Sequence, residues 1–220
     1  MKVLIAGAGR LGRQIAQVLT AAHNRVTLVD RDEDRIAALR NQLPVPVQLR
    51  IGDACEPSVL EAAGAHTADL VIATTGEDED NLVISLLAKR QFSVQRVVAR
   101  VNDAENAWLF NRSWGVDAAV PAATPLISLI EEATGANDTV ALLRLSKAGV
   151  DVIETTITPR SRAVGSALAD ITIPEGTVVA AVVRDGSPVP PTPALVLAAG
   201  DEILLVSHSA TESEVHAVFQ

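Results

Sequence analysis

The run Gly7-Ala8-Gly9-Arg10-Leu11-Gly12 sits between a short apolar segment, Val3-Leu4-Ile5-Ala6, and an amphipathic stretch over 10–22. A strand that passes through glycines at this spacing straight into a helix has few structural solutions. The first glycine permits a tight turn, the second lets another group approach the backbone, and the third lets the helix pack on the strand. N–H groups at the start of such a helix have no intrahelical partners, and the helix dipole adds partial positive charge there. The whole run, Gly7 through Gly12 with Ala8, Arg10 and Leu11 between the glycines, is therefore expected to seat a pyrophosphate.

Asp30 ends the next strand-like run, Val26-Thr27-Leu28-Val29. An acid there accepts hydrogen bonds from ribose hydroxyls, and a 2′-phosphate would face its carboxylate. NADP is thus disfavoured. Arg31 softens that conclusion, while Asp32 and Asp34 restore an acidic field. NAD(H) and the adenine mononucleotides ATP and ADP both fit, and these residues do not separate them. Gly52-Asp53-Ala54-Cys55 follows the third strand, where an adenine should lie. Asp53 either accepts from the adenine amino group or serves as a turn or cap before Glu56-Pro57. Cys55 reads as a small filler, with no histidine nearby to make it a nucleophile. Thr74-Thr75-Gly76 ends the fourth strand on the same side. The acid run Glu77-Asp78-Glu79-Asp80 suits a helix start, a divalent-ion role being the alternative.

Strand and helix patterns alternate as far as residue 136. Apolar runs at 3–6, 26–29, 47–51, 70–73, 97–99 and 116–120 read as buried strands, with helical stretches near 10–22, 32–42, 57–64, 79–91, 104–113 and 124–134. This alternation predicts an α/β, Rossmann-like doubly wound parallel sheet over residues 1–136. After Gly135-Ala136-Asn137-Asp138 the pattern turns strand-rich, with runs at 140–146, 152–158, 178–184 and 203–207. A short helical stretch near 164–169 and a weaker one at the C-terminus complete a second, smaller α+β domain over 137–220. Pro188 to Pro193 is too proline-rich for an inner strand. Trp108, Phe110 and Trp114 crowd one predicted helix, where Trp108 and Phe110 fall on opposite faces, so a second covering surface is expected. Leu126, Leu129, Ile130 and Ala133 form another apolar stripe, flanked by Ile127 and suited to crossing over to a partner subunit.

The net charge of −9 argues against nucleic-acid binding, which needs a basic footprint. Cys55 is the sole cysteine, and His23, His66, His208 and His216 share no metal-ligand spacing. No signal-peptide core and no apolar run near the ~18 residues of a membrane span is present, so a soluble, cytoplasmic protein is expected.

Taken together, these residues resemble the cytosolic regulatory subunits of Trk/Ktr-type bacterial potassium uptake, which join an RCK (KTN) nucleotide domain to a smaller RCK-C domain. The resemblance runs through Gly7–Gly12, Val29-Asp30, Gly52-Asp53-Ala54, Ala73–Gly76 with Asn81-Leu82, and Ala99-Arg100-Val101. In the second half it is carried by Val164–Leu168, Ile173-Pro174, Val183-Arg184 and Ala199–Val206. It implies a homo-oligomeric gating ring that binds nucleotide and docks under a membrane potassium channel or transporter at the inner face of the cell membrane. By the same resemblance Arg10 reaches a terminal phosphate in ATP-responsive members, and Arg100 lies near the pocket. Some members carry an acid after the proline following strand six, implicated in divalent-cation binding. Here Ala122 follows Pro121, so no metal site is carried over. A single copy of the two domains implies assembly from identical subunits.

The rival reading is a small NAD-dependent oxidoreductase. Hydride transfer usually needs a proton donor or anion anchor beside the nicotinamide, and the second domain offers only His208 and His216. A nucleotide-sensing DNA regulator is less favoured, since no helix-turn-helix or basic arm is present.

Overall fold

The computed structural model describes residues 1–40, 42, 46–145 and 149–220, and divides the chain into two compact units, Met1–Ala123 and Thr124–Gln220. In the first unit the strands are β1 (Lys2–Ala6), β2 (Arg25–Asp30), β3 (Gln48–Ile51), β4 (Leu70–Ala73), β5 (Arg96–Val101) and β6 (Ala118–Pro121). They form one sheet in the order β3-β2-β1-β4-β5-β6, with every pairing parallel. The helices are α1 (Arg10–Ala21), α2 (Glu33–Leu39), α3 (Pro57–Ala62) and α4 (Asp78–Arg90).

Alternation along the strands explains the layering. Val3 and Ile5 point to one face, where they join Leu28, Ala16 of α1, and Ile36 and Leu39 of α2. Leu4 and Ala6 point to the other, with Val71, Val97, Leu60 of α3 and Ile84 of α4. Both faces are covered, so the central strands carry unbroken apolar runs. The chain winds outward from β1 to β3, then returns to lay β4 on the other side of β1. That reversal opens a crevice at the C-terminal ends of the strands, where such sheets bind ligands.

Three expectations need correction in this unit. The runs forming β3 and β6 are not fully buried strands: they are the sheet edges, and Ile51 and Val120 are exposed. The predicted helix over 104–113 is two 3₁₀ turns, Ala104–Leu109 and Arg112–Trp114. Asp103 accepts from the Glu105 N–H at 2.9 Å and Asn111 from the Ser113 N–H at 2.8 Å, and such local bonds compete with a continuous α-helix. The opposed-face argument for Trp108 and Phe110 therefore lapses. Phe110 enters the core, whereas Trp108 is 74% exposed. Finally, α2 is shorter than the predicted 32–42, whose Asn41 lies outside the described residues.

The second unit comprises α5 (Thr124–Thr134), β7 (Thr139–Leu145), β8 (Val150–Thr156), β9 (Thr177–Arg184), β10 (Ser187–Val189), β11 (Glu202–Ser207) and α6 (Glu212–Phe219). Its sheet runs β10-β9-β11-β8-β7 and is antiparallel throughout. Ile153, Val182, Ile203 and Leu205 from the sheet pack with Val215 and Phe219 of α6. Pro188 sits on edge strand β10, where a missing N–H costs no ladder bond. The helical stretch expected at 164–169 reduces to a 3₁₀ turn at Leu168–Asp170. Residue 146, expected at the end of the first strand here, lies outside the described residues. The C-terminal helix is well defined: Thr211 and Glu214 form a reciprocal capping box.

The two compact units part between Ala123 and Thr124, and α5 packs on β7. Gly135, at φ +62°, ends that helix in the left-handed region. Leu126, Ile127, Leu129 and Ile130 of α5 are exposed in the single chain. Among the described residues no helix is long and apolar enough to cross a membrane.

One ion pair ties the second sheet together. Arg184 of β9 donates through Nε and Nη2 to the two oxygens of Asp201, both at 2.7 Å, and Nη2 also reaches the Val196 carbonyl at 2.9 Å. Asp201 is only 1% exposed and accepts the Ala198 N–H as well, at 2.8 Å. The Arg184 hydrogen bonds outweigh burial and hold its carboxyl below the usual carboxylate range. A lowered folded-state pKa stabilises the fold above the unfolded value of about 3.9 and is lost as pH falls through the folded value. Asp201→Asn is expected to lower the unfolding temperature at pH 7 by roughly 5 °C or more. It should also flatten the acid limb of the stability curve below about pH 4, both read by thermal melts across pH.

Candidate functional site

A cleft of about 750 Å³ opens at the C-terminal ends of β1 to β5, where the strand order reverses. The glycine turn forms its floor. Gly7 lies at φ +105°, and a Cβ there would meet the Thr74 carbonyl oxygen at 2.7 Å. Its N–H donates to the Val29 carbonyl at 2.8 Å, stitching the turn to β2. Gly12 stands against the turn itself, since a Cβ would fall 1.9 Å from the Gly7 carbonyl oxygen. Gly9 is the N-cap of α1, with no side-chain cap and no acid in the first turn. A Cβ on Gly9 would meet nothing within 4 Å. Open space thus fronts uncapped helix N–H groups, with Arg10 and Arg13 at the rim.

Asp30 is 8% exposed and aims into this cleft. Its Oδ2 accepts the Ala8 N–H at 2.6 Å, and its Oδ1 accepts the Asp32 N–H at 2.9 Å. Arg35 Nη1 donates to both oxygens, at 3.0 and 3.3 Å, while its Nη2 stands 3.2 Å from Asp32 Oδ2. Arg31 lies 3.9 Å from Asp80. The acidic field expected around Asp30 is therefore met by two arginines, of which the motif reading named only Arg31.

Asp53 lies in the cleft wall and also accepts the Cys55 N–H at 2.8 Å, so it builds the turn after β3. Burial, with the charges of Asp80 and Asp53, pushes the Cys55 thiol up to about 12. It is no thiolate at neutral pH, and its alkylation by iodoacetamide at pH 8 is expected to run far slower than that of glutathione.

Across the cleft, Thr74 Oγ1 donates to the Ala6 carbonyl at 3.1 Å. Asn81, wholly buried, accepts from the Thr75 N–H at 2.9 Å and donates to the Arg100 carbonyl at 3.0 Å, locking the ends of β4 and β5 together. Arg100 lines the cleft, and its buried Nε has no hydrogen-bond partner among the described residues. An orphaned guanidinium nitrogen beside uncapped helix N–H groups fits a bound anion.

The acid run is mainly structural. Asp78, 5% exposed, accepts from the Asn102 N–H at 2.7 Å, the Asp103 N–H at 3.0 Å and Asn106 Nδ2 at 3.0 Å. Burial would raise its carboxyl pKa, but the Asn102, Asn106 and Asp103 hydrogen bonds outweigh that and hold it low. Among the described residues no group of three or more His, Cys, Asp or Glu is placed to hold a metal ion.

The fold thus brings Gly7, Ala8, Gly9, Arg10, Asp30, Arg31, Asp53, Ala54, Thr74, Thr75, Gly76 and Arg100 around one cleft. Leu11 and Gly12 lie outside its lining: Leu11 is surface-exposed on α1, and Gly12 acts by close packing. Sequence reasoning missed Arg13 and Arg35. Arg13 follows Arg10 at a helical i+3 spacing and Arg35 lies in the first turn of α2 at i+3 from Asp32, patterns that charge spacing alone makes visible.

Two glycine substitutions separate folding from binding. Gly12→Ala is expected to cost about 1–3 kcal/mol by overpacking against backbone. Gly9→Ala, at φ −64°, should melt like the wild type. Parallel thermal melts check both.

Residues 3–122 match the TrkA-N domain and residues 152–220 the TrkA-C domain. The "Trk system potassium uptake protein TrkA" of Mycobacterium tuberculosis is 38% identical over 216 residues, 98% of this chain and 96% of that protein. Among solved structures, "GsuK channel bound to NAD" superposes with a TM-score of 0.60 at 18% identity, covering 99% of this chain and 39% of that longer one, a likeness of fold. "Crystal structure of the GsuK bound to ADP" gives a TM-score of 0.50 at 29% identity over 60% of this chain and 34% of the other. The paired domains and the near full-length identity place the chain in the TrkA family of Trk system potassium uptake proteins.

Proposed function

We propose that this chain is a nucleotide-binding regulatory subunit of a Trk-type potassium uptake system, acting in the cytoplasm as a homo-oligomer on a membrane channel or transporter. The observation that carries the reading is the cleft: an open, uncapped helix N-terminus, an unpartnered buried Arg100 Nε, and an acid at the end of β2, in a TrkA-family chain. NAD(H) is the preferred ligand, with ADP and ATP as the alternatives. Residues of the glycine turn, Arg10 and Arg100 hold the phosphates, Asp30 faces the adenosine ribose, and Asp53 with Ala54 lies toward the adenine. The two-domain division at 1–136 and 137–220 serves as nucleotide sensor and regulatory module. The exposed Leu126, Ile127, Leu129 and Ile130 stripe supplies apolar surface for self-association.

A regulator is favoured over a hydride-transferring enzyme. The bound nucleotide would supply only differential affinity for two arrangements of the assembly, which is all that a switch requires. The described cleft lining contains no His, Lys or Tyr to hold or move a proton beside a nicotinamide. The acids there are Asp30, Asp32, Asp53, Glu77 and Asp80, of which Asp30, Asp32 and Asp53 accept backbone N–H groups.

Isothermal titration of NADH, NAD⁺, ADP and ATP is expected to show binding of at least one. Gly9→Asp, which puts a carboxylate where the phosphates sit, should weaken it by roughly tenfold or more. Potassium flux through the co-expressed membrane subunit should then lose its nucleotide response. Flux that ignores Gly9→Asp and every nucleotide would overturn the proposal.

A further inference from the structure

Arg35 has no role in the glycine-turn motif, yet it holds the place at Asp30 that a ribose needs. A carboxylate has about four acceptor positions. The Ala8 and Asp32 N–H groups take one on each oxygen of Asp30, and Arg35 Nη1 covers both oxygens from the remaining side, at 3.0 and 3.3 Å. A ribose donating two hydroxyls to Asp30 must therefore displace Arg35. The arginine is free to yield: its side chain is 47% exposed, and its Nη2 already stands 3.2 Å from Asp32, which is itself 40% exposed. Swinging fully onto Asp32 keeps the guanidinium paired while it releases Asp30.

The same movement changes what the site offers a 2′-phosphate. With only Asp30 and Asp32 at the ribose, a phosphate there would be repelled. A guanidinium displaced from Asp30 is a fork-shaped donor suited to phosphate oxygens and would stay at the same end of the cleft, paired to Asp32. We infer that Arg35 sets the selectivity of the cleft at the ribose, weakening ligands with a free 2′-hydroxyl and strengthening those with a 2′-phosphate. The inference rests on the reading of the cleft as an adenine-nucleotide site. Substitution of Arg35 should then move two affinities in opposite directions, whereas loss of a merely structural residue would move them together.

The test is isothermal titration of the full chain with ligand pairs that differ only by a 2′-phosphate: NADH against NADPH, and AMP against adenosine 2′,5′-bisphosphate. Arg35→Gln is expected to tighten the 2′-hydroxyl ligand about two- to fivefold and to weaken the 2′-phosphate ligand by a similar factor. Arg35→Lys, which keeps the charge without the fork, should fall between wild type and Arg35→Gln. If Arg35→Gln fails to fold, the lysine variant decides: its ratio must shift in the same direction by about twofold or more. Wild-type binding with an unchanged ratio, or an equal loss of both ligands, overturns the inference and leaves the nucleotide site standing. A wild-type chain that binds none of the four ligands, nor NAD⁺, ADP or ATP, overturns both.

Discussion

Among the described glycines of the first unit, Gly12 leaves the least room for a side chain, at the Gly7 carbonyl, and the site hangs from that contact. That contact lets α1 start directly on the turn after β1, so its free N–H groups face the end of the sheet. The turn is held from three sides. Val29 takes the Gly7 N–H, Asp30 takes the Ala8 N–H, and the Thr74 hydroxyl donates to the Ala6 carbonyl. β1, β2 and β4 thus converge on the backbone of Ala6, Gly7 and Ala8, and a side chain on Gly7 or Gly12 would push them apart. Of the three motif glycines, Gly7, Gly9 and Gly12, only Gly9 has open space before it. Conformational need and binding room are divided between glycines that look equivalent in the motif.

Asp30 shows how one carboxylate can serve both structure and recognition. Its bonds to Ala8 and Asp32 are part of the folded turn, so it is positioned before any ligand arrives. Preorganisation of this sort removes an ordering cost from binding. The price is competition, because the same oxygens attract the nearest cation, Arg35. On the proposed reading, a ribose at Asp30 would exchange one partner of the carboxylate for another.

On the far wall, two buried polar residues join elements whose strands do not otherwise share a loop. Asn81 links the Thr75 N–H to the Arg100 carbonyl, and Asp78 gathers N–H groups from Asn102 and Asp103. Both lie on the first turn of α4. The acids at that helix start are thus more than a complement to the dipole: Asp78 is a buried clamp, and Asp80 faces the cleft. Thr75 and Arg100 thus share one buried partner, Asn81, which fixes the ends of β4 and β5 against each other.

The first-unit fold and most of the cleft were legible in the sequence, because period-2 apolar runs, glycine spacing and an acid at a strand end are local consequences of backbone geometry. The TrkA-family resemblance was legible for the same reason, its motifs being those turns. The 104–113 segment was misread because its aromatic and apolar residues imitate a helix, while Asp103 and Asn111 divert the backbone N–H groups to their own side chains. The exposure of β3 and β6 could not be read either, since being an edge depends on strand order and not on strand composition. Nor could the orphaned Nε of Arg100, which depends on what the sheet's reversal brings together across the cleft; the pairing of Arg35 with Asp30 is local, five residues apart, and needs only the turn from β2 into α2. Local chemistry in this chain is set by residues adjacent in sequence. The approach of Arg31 to Asp80 across the cleft and the burial of Arg100 Nε arise only after β4 returns beside β1, and only the tertiary structure decides those.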